Sequence, residues 1–352
     1  MSGSEVASRE ATDRPPPAGV DVVAGQLLAW AHDVYGTAAD VLDVHPMPGH
    51  SGYSFGFTLC HDAADERLVI RMPPPGTKQR RNTDVLRQSR VMKAMAASGV
   101  PVPEIRHEGD GERWFGSPYF MASHVHGRST SLFRAGIAEH ETGEGLAPVF
   151  RSAMESLAAI HSVDWQRLLD GWAQPTTLEQ EIAAWQPTLH KSTNQTWIDE
   201  GVALAGRLHD TRPPEGAYSV VHGDYYSNNW LFDDGAVTAV VDWEIAGIAA
   251  PALDVAWVAM FYDDECWGPR LHRWPSWWPD PDVLVTQYSA AIGAEPANYN
   301  WMRALANYRF GCIIARAYEL HLTGKINEPA WEINAEALPR MFAQARRLLS
   351  RG

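Results

Sequence analysis

A two-lobed α+β architecture, with a small sheet lobe ahead of a larger helical one, is what the amino-acid sequence predicts. Three observations carry this. Short strand-like runs crowd the first third of the chain, helical apolar periods dominate from Val149 onward, and one β-like insertion, Ser219 to Asp242, interrupts the helices. The expected organisation is a disordered tail over residues 1–24, a sheet lobe over 25–125 and a helical lobe over 126–352. The helical lobe would hold a functional hairpin at 219–244, and the lobes would change over near Gly127.

The elements follow in order. Pro15, Pro16 and Pro17 among Ser, Glu and Arg cannot bury enough surface to order a segment, hence the tail to about Ala24. Leu27, Leu28, Trp30, Ala31 and Val34 recur at helical spacing over Gln26 to Tyr35. Val41 to Leu59 then reads as a hairpin bent by Gly49, Gly52 and Gly56. Arg67 to Met72 is a strand closed by Pro73, Pro74 and Pro75, and Thr83 to Ala97 is a helix through Val85, Val91, Met92 and Met95. Two more strands are expected at Ile105 to Glu108 and Tyr119 to Val125. Helices are expected at Val149 to His161, Leu178 to His190, Trp197 to His209, Val283 to Ile292, Trp301 to Leu322 and Ala335 to Leu349. Within the insertion, Trp230-Leu231-Phe232 and Val237 to Val241 are strands joined by an Asp233-Asp234-Gly235 turn.

Composition narrows the function classes. Lys+Arg 29 against Asp+Glu 43 gives a net charge of −14, the wrong sign for a general nucleic-acid binder, which needs clustered cations to displace counterions. No apolar run of membrane-spanning length and no basic-then-apolar leader pattern is present in the sequence, so the expectation is a cytoplasmic protein without a membrane or obligate protein partner. Three widely separated cysteines, Cys60, Cys266 and Cys312, suggest neither a disulfide framework nor a paired zinc site.

The hairpin carries the chemistry. His222-Gly223-Asp224 stands at its entrance, Asn229 before its first strand and Asp242 after its second, and the ends of a hairpin converge. Two carboxylates and an amide in one patch suit Mg²⁺, a hard cation that takes oxygen ligands and is shared with substrate phosphates. Asp224 would orient or deprotonate an attacking hydroxyl. Taken singly, each of these residues also reads as a turn or helix cap; their order and spacing point to a site.

The run His222 to Asn229, followed by Val241-Asp242-Trp243-Glu244 and Pro251-Ala252-Leu253-Asp254-Val255-Ala256, resembles the signature of the aminoglycoside phosphotransferase family, small-molecule kinases with the protein-kinase fold. Leu68 to Gly76 and Val100-Pro101-Val102-Pro103 resemble the branch that includes the kinase-like domains of some acyl-CoA dehydrogenases, and mycobacterial members of the family are similar as well. The resemblance implies a protein-kinase-like fold, ATP and Mg²⁺ as cofactors, Asp224 as catalytic base and Asn229 and Asp242 as Mg²⁺ ligands. It implies that His222 supports the catalytic loop and that Asp254 braces it from the next helix. Gly49, Ser51 and Gly52 sit where the family places its phosphate-covering hairpin.

Arg71 occupies the position of the strand lysine that grips the nucleotide phosphates, a task a guanidinium fork can perform. The aligned helical partner is Gln88 rather than glutamate, so a neutral hydrogen bond to Arg71 is expected. This departure leaves open an active enzyme or a catalytically impaired nucleotide-binding module. The Ser123 carbonyl and the Val125 N–H would bind the adenine edge, with Val69, Leu231 and Val241 against its faces. Tyr225 and Tyr226 either line an acceptor pocket or wedge the loop.

The acceptor is expected to be a hydroxyl of a small molecule. Asp263, Asp264 and Glu265 together with Trp267, Trp274, Trp277 and Trp278 would suit a cationic aminosugar, through charge and ring stacking, whereas a hydroxyacyl thioester or other alcohol would use the tryptophans without the acids.

Overall fold

The computed structural model describes residues 19–47, 53–62, 64–73, 76–129, 143–267 and 279–351. Two compact units emerge. One contains Gly127–Thr238 and Ile245–Gly352; the other runs up to His126 and also takes in Ala239–Glu244. The expected hairpin at 219–244 is thereby divided, because Val240 N–H bonds to the Pro101 carbonyl at 2.8 Å and Arg71 reaches Glu244.

The sheet unit begins with α1 (Val20–Tyr35), which starts inside the stretch expected to be tail. The reason is packing: Val23 is fully buried and opens a stripe with Leu27, Trp30 and Ala31. Strands β1 (Asp40–Pro46), β2 (Tyr53–His61), β3 (Ala64–Met72), β4 (Ile105–Gly109) and β5 (Tyr119–Ser123) form one sheet in the order β1-β2-β3-β5-β4, with every neighbouring pair antiparallel. Phe55, Phe57 and Leu59 alternate onto the face that α1 covers, where Trp30 Nε1 donates to the Tyr119 hydroxyl at 3.1 Å. Each such large apolar side chain contributes about 1.5–3 kcal/mol by leaving water. Helix α2 (Val85–Ala97) is capped by Asp84, whose carboxylate accepts from Arg87 N–H. β5 stops at Ser123, two residues short of the expected Val125.

The other unit is mainly helical, as expected from the periodicity. Its elements are α3 (Gly143–His161), α4 (Trp165–Leu168), α5 (Leu178–Leu189), α6 (Gln195–Asp210), α7 (Ala252–Tyr262), α8 (Pro281–Ile292), α9 (Tyr299–Leu322) and α10 (Ala330–Leu349). Strand β6 (Ser219–Val221) pairs with β9 (Gly247–Ala249), and β7 (Trp230–Asp233) pairs with β8 (Ala236–Val240). The β7–β8 turn has positive φ at Asp234 (45°) and Gly235 (76°), the twist a two-residue hairpin requires. All of α7 is buried, so it shows no amphipathic period and can carry Asp254 and Trp257 beneath the loop that follows β6. Among the described residues no helix is long and apolar enough to cross a membrane.

Candidate functional site

In the helical unit the candidate residues sit on the loop from His222 to Asn229. Gly223 takes φ +84°, a left-handed conformation, and a β-carbon there would stand 3.1 Å from the Ile245 carbonyl. The loop is clamped from below by Asp254, 1% exposed. This carboxylate accepts from His222 N–H at 2.6 Å and Gly223 N–H at 2.9 Å, and His161 Nε2 lies 3.3 Å away. Burial opposes its ionisation, yet the hydrogen bond and charge of His161, the charge of His222 and the Gly223 N–H outweigh burial and hold the carboxyl below the usual carboxylate range. His161 is anchored in turn by the Tyr288 hydroxyl, 2.8 Å from Nδ1. His222 is fully buried, and its Nδ1 accepts from Asp224 N–H at 3.3 Å.

Asp224 is thereby presented half-buried, with a defined partner on each oxygen. Trp257 Nε1 donates to Oδ1 at 3.1 Å; Asn229 Nδ2 donates to Oδ2 at 3.3 Å and to the Asp224 carbonyl at 2.9 Å. Two donors, one on each oxygen, fix the orientation of the carboxylate. Asn229 commits its nitrogen to these bonds, and among the described residues none is made to its Oδ1. Tyr225 is a wedge rather than a pocket wall: it is fully buried, its hydroxyl donates to the Ala153 carbonyl at 2.6 Å, and its ring packs on Trp230. Tyr226 stacks on Phe261 with centroids 4.8 Å apart. Leu231 is half-buried in β7.

The sheet unit carries candidate residues of its own. Arg71 Nη2 donates to Glu244 Oε2 at 2.8 Å and lies 3.5 Å from Asp242 Oδ1, with Arg71 and Glu244 each 17% exposed. The expected Arg71–Gln88 bond is replaced: Gln88 turns its amide to the Asn82 carbonyl at 2.8 Å, and the anion that holds Arg71 comes from Glu244. A charged partner therefore survives, supplied by a segment 173 residues away rather than by α2. Asp242 has φ +65°, strained for a residue with a β-carbon, and among the described residues its buried Oδ1 has no hydrogen-bond partner. A buried carboxylate oxygen that makes an ion pair but no hydrogen bond suits a hard cation, and the uncommitted Asn229 amide oxygen has the same character, so both residues fit Mg²⁺ chemistry. At the β5 edge, Glu104 N–H is taken by Ser123 Oγ at 2.9 Å rather than by its carbonyl. Val69, Val125 and Val241 are half-buried.

Some expected residues lie outside the described ones, namely Gly49, Ser51, Gly52, Trp274, Trp277 and Trp278. The acidic cluster is corrected. Asp263 is buried and held by Arg303 at 2.5 Å and Gln344 at 2.9 Å, and Glu265 pairs with Arg347 at 2.8 Å, so two of the three acids are committed to arginines within the fold. Trp267 is a core residue, 1% exposed. Sequence reasoning gave no role to Glu244, although it lies in the quoted motif, or to Trp257. It also passed over Arg309, whose only signal was a cation in an apolar stretch of helix, Tyr308 to Ile314.

A sheet unit bearing a cation paired to a distant glutamate, and a helical unit bearing a braced aspartate loop, define a kinase-like phosphotransferase. The chain belongs to the phosphotransferase enzyme family, whose pattern matches residues 47–303. It is 27% identical over 278 residues to acyl-CoA dehydrogenase family member 10 of Mus musculus, covering 74% of this chain and 25% of the relative. The chain thus spans only about a quarter to a third of the curated relatives it matches first, 25% of that mouse protein and 34% of the human family member 11. In fold it is similar to a candidate aminoglycoside phosphotransferase from Ralstonia eutropha, with TM-score 0.75, 22% identity and coverage of 93% of this chain and 98% of that one. It is also similar to a thermostable mutant of aminoglycoside phosphotransferase APH(4)-Ia solved with AMP-PNP and hygromycin B, with TM-score 0.58, 17% identity and coverage of 91% and 98%.

Proposed function

We propose that the protein is an ATP- and Mg²⁺-dependent kinase that transfers the γ-phosphate to a hydroxyl of a small molecule. The observation that supports it most is the Asp224 carboxylate, held on both oxygens by Trp257 and Asn229 in a loop that Asp254 braces. Asp224 aligns the acceptor hydroxyl and takes its proton as the oxygen bonds to the γ-phosphorus and the bond to the ADP oxygen breaks. Arg71, kept in place by Glu244, pairs with the nucleotide phosphates, and the Ser123 carbonyl and Val125 N–H meet the adenine edge. Asn229 and Asp242 are the residues that would hold Mg²⁺, which when bound neutralises charge on the phosphate oxygens. Most of the rate enhancement is then positioning and electrostatics.

An aminoglycoside acceptor is supported by the APH(4)-Ia neighbour and its hygromycin B complex. A second reading, a hydroxyacyl or other alcohol metabolite, is favoured by the pairing of Asp263 and Glu265 with arginines and by the similarity to an acyl-CoA dehydrogenase family member. The carboxylate partner that Arg71 keeps supports an active enzyme over the impaired-module reading. Mg²⁺-dependent ADP release, screened across aminoglycosides and hydroxylated metabolites, tests the proposal and separates the acceptor classes. Measurable ATP binding with no acceptor-stimulated release in either panel would count against it.

A further inference from the structure

Arg309, in the middle of α9, lies between two indoles. Its guanidinium carbon is 4.3 Å from the Trp257 ring centroid and 4.9 Å from that of Trp185. Its Nη2 donates to the Gly223 carbonyl at 2.6 Å, within the loop that carries Asp224. Among the described residues no carboxylate pairs with it, and its Nε is buried without a hydrogen-bond partner. Helix packing alone would be served at lower desolvation cost by an apolar side chain of the same length. Trp257, 3% exposed, touches both ends of this arrangement: its face receives the Arg309 cation and its N–H donates to Asp224 Oδ1.

A cation over an indole face draws electron density from the ring and makes its N–H a stronger donor. The same guanidinium fixes the carbonyl at the left-handed Gly223 hinge. We infer that Arg309 and Trp257 are positioning residues for Asp224, with Arg309 holding the loop at Gly223 and polarising the indole that orients the carboxylate. The inference rests on the reading of Asp224 as the base.

The test uses the full chain, ¹⁵N-labelled, with the indole N–H resonance of Trp257 identified by its absence in Trp257→Phe. In the wild type this resonance lies downfield as a donor to the Asp224 carboxylate, and Asp224→Asn moves it upfield. Arg309→Met also shifts the resonance upfield, because the indole N–H becomes a weaker donor to the Asp224 carboxylate. Arg309→Lys falls between, and the remaining indole resonances show whether each variant is folded. In ADP release, Trp257→Phe and Arg309→Met each lower kcat about 10-fold, equivalent to about 1.4 kcal/mol, with the ATP KM unchanged. A resonance that ignores Asp224→Asn, or that Arg309→Met leaves unmoved, overturns the positioning role whatever turnover does. A wild type without acceptor-stimulated release, but with the indole behaving as described, overturns the kinase proposal and leaves this inference standing.

Discussion

Replacing Asp254 with alanine removes one carboxylate that serves three donors: His222 N–H at 2.6 Å, Gly223 N–H at 2.9 Å and His161 Nε2 at 3.3 Å. A hydrogen bond to a charged group is worth about 1.5–3 kcal/mol, so independent addition would give roughly 4.5–9 kcal/mol. The bonds share one group and are not independent. Breaking a buried charged constellation by removing one member costs about 3–5 kcal/mol, and that range is the better guide. For a unit in the 150–250-residue class, each kcal/mol moves Tm by about 2–4 °C. Differential scanning calorimetry at pH 7 is therefore expected to show the helical unit of Asp254→Ala melting about 6–20 °C below wild type. Asp254→Asn, which keeps the volume and one acceptor oxygen, falls between. Because the folded carboxyl lies below the usual range, its contribution is complete above about pH 4, the unfolded value, and is lost as pH falls through the lower folded value. The Tm gap between wild type and Asp254→Ala narrows accordingly in acid. A gap under about 2 °C at pH 7 would refute the claim that this carboxylate holds the loop.

Other predictions concern the two units separately. Gly223→Ala forces a β-carbon into a left-handed backbone against the Ile245 carbonyl, costing about 1–2 kcal/mol in backbone strain alone, and lowers kcat at least about 10-fold with the circular dichroism spectrum retained. Glu244→Gln removes the anion that holds Arg71 and weakens ATP binding about 5- to 10-fold by titration calorimetry, while Gln88→Ala, which has no bond to Arg71, leaves ATP affinity within about 2-fold. Asp242→Asn raises the Mg²⁺ concentration for half-maximal ADP release about 10-fold, and chelation with EDTA silences the wild type.

Much of this was legible in the sequence, for identifiable reasons. Trp230 to Phe232, the Asp234-Gly235 turn and its partner strand alternate and punctuate as hairpins do, and Asp224 and Asn229 come within hydrogen-bond distance as their spacing suggested. The start of α1 was missed because the upstream prolines outweighed Val20, Val22 and Val23, yet Val23 has core to bury against. β9 is three residues of Gly-Ile-Ala, too short for any period, and exists because β6 needs an edge partner. The partner of Arg71 was sought one element away, on α2, but the carboxylate comes from Glu244 after a long excursion of the chain, a choice local pattern cannot encode. Acidic Asp263 and Glu265 looked like a surface field because their arginines lie on α9 and α10, far along the chain. Arg309 offered a cation in an apolar helix, and only packing shows that it reaches the loop.

The central claim is that Asp224 performs the transfer, and the most direct measurement is Mg²⁺-dependent ADP release by wild type beside Asp224→Ala, with ATP affinity measured on both. The account predicts acceptor-stimulated release in the wild type, a loss of at least about 10³-fold in the variant, and ATP affinity within about 2-fold. Turnover that survives in Asp224→Ala, or ATP binding that vanishes with it, would contradict the account.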